Sequence, residues 1–560
     1  MYKYLLFALI IVGTQGDEEV RLVNIAQGPV RGYKKPGDDV FVFYGIPYAT
    51  APSGTQKFNA PLPPPTWSEP FEAVKSNIIC HQMEMPGLAI KDTTVQVDDC
   101  LIANVYVPDK KHENLPVVVH VHGGAYQLGY GDLITVKNLI REKPMVVVNF
   151  NYRLGPSGFL CLGTPDVPGN AGMKDQVALL RWVKKNIASF GGNPNDVTII
   201  GYSAGSSAVD LLMLSPMTRG LFNKVVPESG ASLSAFSVQV NPIDNAITYA
   251  KELNFTDNGA DIYALENFYK SVPSNILHSI NLINRKDSSF IFSPCVERDV
   301  GQEMFLDDAP INILKNGKQQ KLPMLYGFAE MEGLFRIPQF DLWKDDLNKK
   351  FSEFLPIDLR FESEAEKEEV AETVKKFYFG HQAVSNETIF RYIDYFTDTI
   401  FGYSTLRSAR LQVESGNNNI YLYEYSFVDE ATPLVPNTEV RGANHCAQTM
   451  AVDDGGFFQN PSEEKLSDSY KSMKRIMRKI WATFITTGKP VPEGEDIEKK
   501  IPYWPPTQAN GGPHMSIDKT LKLRGPLLQQ RVLFWDGIYE KYYNIPAPPP
   551  SLPPRQKTEL

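Results

Sequence analysis

The chain repeatedly sets a short, β-branched apolar run against a longer segment with helical spacing, and this alternation narrows the architectures open to it. Such runs stand at "LPVVVHVH", "PMVVVNFNYR", "DVTIIGYS", "KLPMLYG" and "NIYLYEYSF". Strands this apolar on both faces must be covered on both faces, which is the condition of a mostly parallel central sheet with helices on either side. Between the second and third runs, "GMKDQVALLRWVKKNIASFGG" carries Val177, Leu180, Val183 and Ile187 at helical spacing and stops at Gly191-Gly192. The unit reads as strand, helix, strand with a right-handed crossover. The stretch 241–415 is richer in charge and helical pattern than its flanks, so it is expected to insert helices over the sheet as the roof of a pocket. With 560 residues, of which 42% are apolar and 22% charged, the chain has material for a large core. No internal repeat or linker interrupts it, and a single domain is expected across 17–545.

The third run continues as "VTIIGYSAGSSAVDLLMLSP", residues 197–216. A strand that turns sharply into a helix needs glycines at 201 and 205, where a Cβ would clash, and the turn pushes Ser203 out of the backbone. An ordinary strand-to-helix loop could spell the same letters, so the rest of the chain decides. A serine hydroxyl is a weak nucleophile at neutral pH and requires a histidine to take its proton and an acid to orient that histidine. On an open parallel sheet these lie at the carboxyl ends of successive strands, in the order serine, acid, histidine. After "KLPMLYG" the segment "FAEMEGLF" offers Glu330 and Glu332, either of which could instead be a solvated loop carboxylate. After "NIYLYEYSF" the loop "VDEATPLVPNTEVRGANHCAQ" delivers His445. His278, His381 and His514 also follow Ser203, but only His445 follows a strand in this place.

A tetrahedral intermediate also needs backbone N–H donors that no side chain obstructs. The run 115–122 ends in His122-Gly123-Gly124-Ala125-Tyr126, which fits an HGGG-type loop supplying those donors, with the Ala204 N–H as partner. His120 and His122 share a strand face, yet no third ligand at metal-like spacing accompanies them, so neither a metal nor another cofactor is expected.

With these parts in order, the chain resembles the type-B carboxylesterases of the carboxylesterase/cholinesterase family over nearly its whole mature length. Beyond the elbow, "VDDCLIANVYVP", "NYRLGPSGFL" and "GNAGMKDQVALLRWVKKNIASFGGNPNDVTIIGYSAG" are similar to the family's long signatures. The resemblance implies an α/β-hydrolase fold with Ser203 as nucleophile, His445 as general acid/base and Glu332 as the orienting acid. It also implies Gly124, Ala125 and Ala204 as oxyanion donors, a Cys80–Cys100 disulfide, and a small-molecule ester as substrate.

Departures from the family pattern are specific. Tyr202 stands where the family commonly has Glu, and Ala125 replaces the third glycine of the oxyanion loop; neither change removes an N–H donor. After His445, Cys446 and Gln448 replace the usual Gly and acidic residue. Cholinesterase relatives place a tryptophan face in the loop corresponding to 80–100, which here holds Met83, Glu84, Met85 and Leu88 but no Trp, Tyr or Phe. Small to medium neutral, apolar esters are therefore expected, because a quaternary ammonium is drawn to a ring face that this loop lacks. The alternatives are a juvenile-hormone-esterase-like hydrolase, whose elbow usually has Gln at the position of Tyr202, and a non-catalytic adhesion or binding protein on the same fold. Such binding proteins typically lack a member of the triad, and this chain keeps all three.

A formal charge of −9 with no run of Lys or Arg argues against a nucleic-acid or anionic-membrane partner. The N-terminus has Lys3, an apolar run from Leu5 to Val12 and then Gly13, Thr14, Gln15 and Gly16, the pattern of a signal peptide over 1–16. Neither that run nor any later one reaches the length of about 20 residues needed to span a bilayer. At the other end, prolines in the 546–560 tail are expected to hold the last residues away from the body. Lys557-Thr558-Glu559-Leu560 resembles the KDEL-type signals, which implies a retention receptor and the endoplasmic-reticulum lumen, with secretion as the alternative. Two sequons, at Asn254 and Asn386, fit either route. Five cysteines cannot all pair within one chain. A Cys80–Cys100 bridge would stabilise by about 3 kcal/mol in the chain-entropy model, while Cys161, Cys295 and Cys446, far apart in sequence, are expected to be small buried hydrophobes.

Overall fold

The β-branched runs form the middle of one large sheet. In chain order its strands are β1 (Glu19–Ile25), β2 (Gly28–Lys34), β3 (Val40–Pro47), β4 (Ile102–Pro108), β5 (Leu115–Val121), β6 (Val146–Phe150), β7 (Gly192–Tyr202), β8 (Lys224–Glu228), β9 (Met324–Ala329), β10 (Ile420–Tyr425), β11 (His514–Ile517) and β12 (Leu521–Arg524). They lie in the order β1-β2-β3-β4-β6-β5-β7-β8-β9-β10-β11-β12. From β6 through β11 every pairing is parallel, and the other pairings along this path are antiparallel; a thirteenth, two-residue strand, Phe71–Glu72, lies off the path and runs parallel to β2. Register is fixed by valines and isoleucines: Val119 stands opposite Val148 of β6 and Ile199 of β7, and all three are fully buried. The computed structural model describes residues 19–83, 94–110, 112–257, 261–280, 284–455, 463–491 and 501–553. The expected signal peptide, Glu84, Met85, Leu88 and the residues from Lys557 to Leu560 lie outside them.

Helices cover the sheet on both sides, as an α/β-hydrolase requires. The crossover helix Ala171–Asn186 buries Val177, Leu180 and Val183, and it ends before a 3-10 turn closed by Gly191 at φ 87°. Asp468–Thr487 buries Met477, Ile480, Trp481 and Phe484. The stretch 241–415 supplies a series of helices, among them Pro242–Glu252, Glu364–Phe379, Ile389–Phe396 and Tyr403–Glu414, with strand β9 running through its middle. Among the described residues no helix is long and apolar enough to cross a membrane.

Two sequence expectations are corrected here. Cys161 and Cys295 are bonded to each other across 134 residues, and of the three cysteines only Cys446 is a free, buried thiol. The two chain segments converge on Gly169, whose missing Cβ would lie 2.6 Å from the Cys295 Sγ and 2.8 Å from the Cys161 Sγ. Sequence distance says nothing about such convergence. The proline tail, for its part, lies against the body at least as far as Pro553. Arg298 donates to the carbonyl of Gly163 at 2.7 and 3.0 Å and also to that of Pro550, while the Tyr263 hydroxyl donates to Pro553 O at 3.1 Å. Prolines exclude helix, but their unpaired carbonyls remain acceptors for a surface arginine and tyrosine.

Candidate active site

Strand β7 ends at Tyr202, and the helix Ala204–Leu214 begins one residue later, so Ser203 alone makes the turn. Its backbone sits at φ 56°, ψ −125°, a conformation that an L-residue holds only when its surroundings impose it. Two close approaches impose it. A Cβ on Gly201 would lie 2.1 Å from Gly205 O, and one on Gly205 would lie 2.3 Å from Val121 O. The Ser203 N–H is anchored across the sheet to Glu228 O at 2.8 Å.

Strand β9 delivers the acid. Glu332 lies just beyond its carboxyl end and is fully buried. Its Oε1 accepts from the Ala329 N–H at 2.8 Å and from the Ser229 hydroxyl at 2.5 Å, and its Oε2 stands 2.5 Å from His445 Nδ1. Glu330 faces outward and is exposed; its backbone N–H bonds Tyr425 O. The loop after β10 brings His445 in, and the ring is stacked on Phe401 with centroids 4.1 Å apart. Nδ1 is thus occupied by Glu332, whereas Nε2 is buried with no hydrogen-bond partner among the described residues.

Ser203 and His445 line one cavity of about 150 Å³, together with Gly124 and Ala125. These two follow β5 with φ of 111° and 56°. At Gly124 a Cβ would fall 2.0 Å from Leu128 O, so the loop closes tightly on itself and its amides are left uncovered by a side chain. Ala204 is wholly buried, and as the first residue of its helix it has no intrahelical acceptor for its N–H. The Cys80–Cys100 disulfide bears on this loop indirectly: Gln82, two residues beyond Cys80, accepts from the Gly129 N–H at 2.8 Å and donates to Gly129 O at 3.0 Å. Asn254 and Asn386 are exposed and take no part in the cavity.

Walls of the cavity are apolar: Leu128, Ile134, Tyr202, Phe290, Phe335 and Met450. Among the described residues no Asp, Glu, Lys or Arg lines it. Burial pushes the Tyr202 hydroxyl and the Cys446 thiol well above their ordinary ranges, so both stay neutral. Met83 is buried elsewhere and does not reach the wall. His120 and His122 are buried at the end of β5, before the Gly124–Ala125 turn, where desolvation lowers each to about 4 and keeps the imidazoles uncharged.

Sequence reasoning missed Ser229 and left Gln448 without a partner. Ser229 directly follows β8 at φ 60°, and Gln448 Nε2 donates to its hydroxyl at 2.6 Å. The available signal was a Ser-Gly pair at the carboxyl end of the strand beside β7. Beneath them Glu228 accepts from the Tyr423 hydroxyl at 2.5 Å; burial raises its carboxyl well above the usual range and so keeps it neutral.

A site of this kind on this sheet defines a serine hydrolase of α/β-hydrolase type, and comparison with known proteins narrows the class. The sequence model of the carboxylesterase family matches residues 19–535. The chain is 32% identical to Esterase FE4 of Myzus persicae over 514 residues, covering 87% of each chain. It is 30% identical to the juvenile hormone esterase of Heliothis virescens over 515 residues, 88% of each. Among solved structures it is similar to juvenile hormone esterase from Manduca sexta with OTFP covalently attached, at a TM-score of 0.81 and 27% identity, covering 93% of this chain and all of that one. The chain belongs to the carboxylesterase family, and it is a carboxylic ester hydrolase.

Proposed function

We propose that the enzyme cleaves neutral esters of small to medium, apolar acids and alcohols through an acyl-enzyme on Ser203. In acylation the Ser203 Oγ attacks the ester carbonyl while His445 Nε2 takes its proton. The carbonyl oxygen becomes an oxyanion, which the N–H groups of Gly124, Ala125 and Ala204 receive. The C–O bond to the alcohol then breaks as His445 returns the proton to the leaving oxygen. In deacylation water attacks the acyl carbon, gives its proton to Nε2, and the carboxylic acid leaves as Ser203 regains its hydrogen. Glu332 holds the tautomer with the proton on Nδ1 and stabilises the imidazolium between steps.

One observation carries this reading: His445 is held by Glu332 through Nδ1 while its unpartnered Nε2 shares a cavity with Ser203. The preference for neutral substrates is supported by a wall that, among the described residues, holds no carboxylate and no tryptophan. We assign the chain to the secretory pathway, with cleavage near Gly16, glycans at Asn254 and Asn386, and retention through Lys557 to Leu560. The assignment of the nucleophile is tested with Ser203→Ala and a fluorescent alkyl phosphonate. The variant is expected to lose labelling and to fall by several orders of magnitude in kcat, with unchanged thermal unfolding. Turnover or labelling comparable to wild type would refute it.

A further inference from the structure

We infer that Gln448 is a positioning residue: its amide donates to Ser229 and thereby commits the Ser229 proton to Glu332, which holds the carboxylate facing His445. The inference rests on the roles proposed above for Glu332 and His445. Ser229 has a single hydroxyl hydrogen and three polar neighbours: the neutral Cys446 thiol, a weak partner, the Gln448 amide at 2.6 Å and Glu332 Oε1 at 2.5 Å. An ionised carboxylate only accepts, so the hydrogen points to Glu332, and the group on the other side of Ser229 must be a donor. The NH₂ of Gln448 is one that no change of pH can turn into an acceptor.

The acidic residue usual at this place would behave differently. It would be surrounded by Glu228 at the end of β8, Glu332 beyond β9, the Tyr423 hydroxyl of β10, and Cys446 and Asp453 on its own loop. Glu228 directly precedes Ser229, Glu332 accepts from the Ser229 hydroxyl, and the Asp453 N–H bonds Thr449 O beside Gln448. Two cations of the helix Asp468–Thr487 donate to this loop's carbonyls, Lys474 to Met450 O and Asp453 O and Arg478 to Val452 O. A protonated acid there donates to Ser229 as the amide does. Once ionised it competes with Glu332 for the Ser229 hydrogen, and Oε1 of Glu332 is left with the Ala329 N–H alone. The amide therefore removes a titration from the support of the catalytic carboxylate.

The test compares Gln448→Glu and Gln448→Met with wild type in kcat and KM from pH 5.5 to 9 on a neutral p-nitrophenyl ester. Active sites are counted by phosphonate titration, so molecules that fail to fold drop out and labelling of Ser203 is verified in the same sample. Gln448→Glu is expected to match wild type at the acid end and to lose kcat by roughly tenfold as pH rises, a descending limb absent from wild type, with KM within about twofold. Gln448→Met is expected to lose about tenfold at every pH, again in kcat. A wild-type pH profile for Gln448→Glu, a loss in it that does not depend on pH, or a Gln448→Met variant within about twofold of wild type would each overturn the inference. Absence of phosphonate labelling in wild type would instead fault the nucleophile.

Discussion

Replacing Glu332 by Gln probes the site most sharply, because the consequence follows from which atoms donate. Glu332 Oε1 receives two donors, the Ala329 N–H and the Ser229 hydroxyl. In Glu332→Gln the amide oxygen is drawn to that side, where two hydrogens await it, and the NH₂ is left facing His445 Nδ1. The imidazole then has to accept on Nδ1 and carry its proton on Nε2, so the nitrogen facing Ser203 is a donor and cannot act as a base. Loss of the imidazolium's counter-charge adds to the effect. Tautomer reversal of this kind in a serine triad costs on the order of 10⁴-fold in kcat, about 5.5 kcal/mol of transition-state stabilisation. The assay is steady-state hydrolysis of a neutral p-nitrophenyl ester, normalised by phosphonate titration, with Glu330→Gln as control. The control changes an exposed side chain and is expected to stay within about twofold. A loss under tenfold in Glu332→Gln, or a larger loss in Glu330→Gln, would refute the donor argument.

A choline ester is expected to have no advantage in kcat/KM over its uncharged carbon isostere, since a cation over a ring face gains about 0.5 to 2 kcal/mol and no tryptophan among the described residues lines the cavity; clear preference for the charged member contradicts this. His278 is buried and desolvation lowers it to about 3, so the unfolded chain binds a proton that the folded one refuses between about pH 3 and 6.5. Stability it contributes is present above pH 6.5 and is lost on acidification, opposite in sign to Asp358 and Asp398, which burial raises to about 6. Urea unfolding of His278→Gln is expected to show a slope of stability against pH smaller by about 1.4 kcal/mol per unit in that window, and an unchanged slope rules the account out. Deleting Lys557 to Leu560 is expected to move protein from cells into the medium, and an unaltered partition argues against retention.

What could be read from the sequence was local or ordered along the chain. Gly201 and Gly205 announce the elbow because the clashes they avoid are with residues a few positions away or on the next strand, and the β-branched runs announce the sheet because both faces of each are covered. His445 could be found because strand order constrains where a base can enter. Contacts across long separations left no such mark. Cys161 meets Cys295 only because both segments close on Gly169, and Ser229 meets Gln448 across 219 residues. Arg298 seats the tail through carbonyl oxygens that every residue carries. The cavity wall, likewise, is gathered from loops that no spacing connects.

Phe401 comes from a single π-helical turn, Thr397–Gly402, and Phe335, 5.2 Å from the His445 ring, also walls the cavity. The imidazole that handles the proton is thus wedged between side chains supplied by the roof rather than by the sheet. Reshaping this roof to admit a different acyl group also re-aims the proton carrier. Changes of substrate range and changes of rate are therefore not separable moves in this protein, and substitutions at Phe335 should combine with those at Glu332 non-additively. An evolving or engineered variant would have to repair alignment each time it gained room.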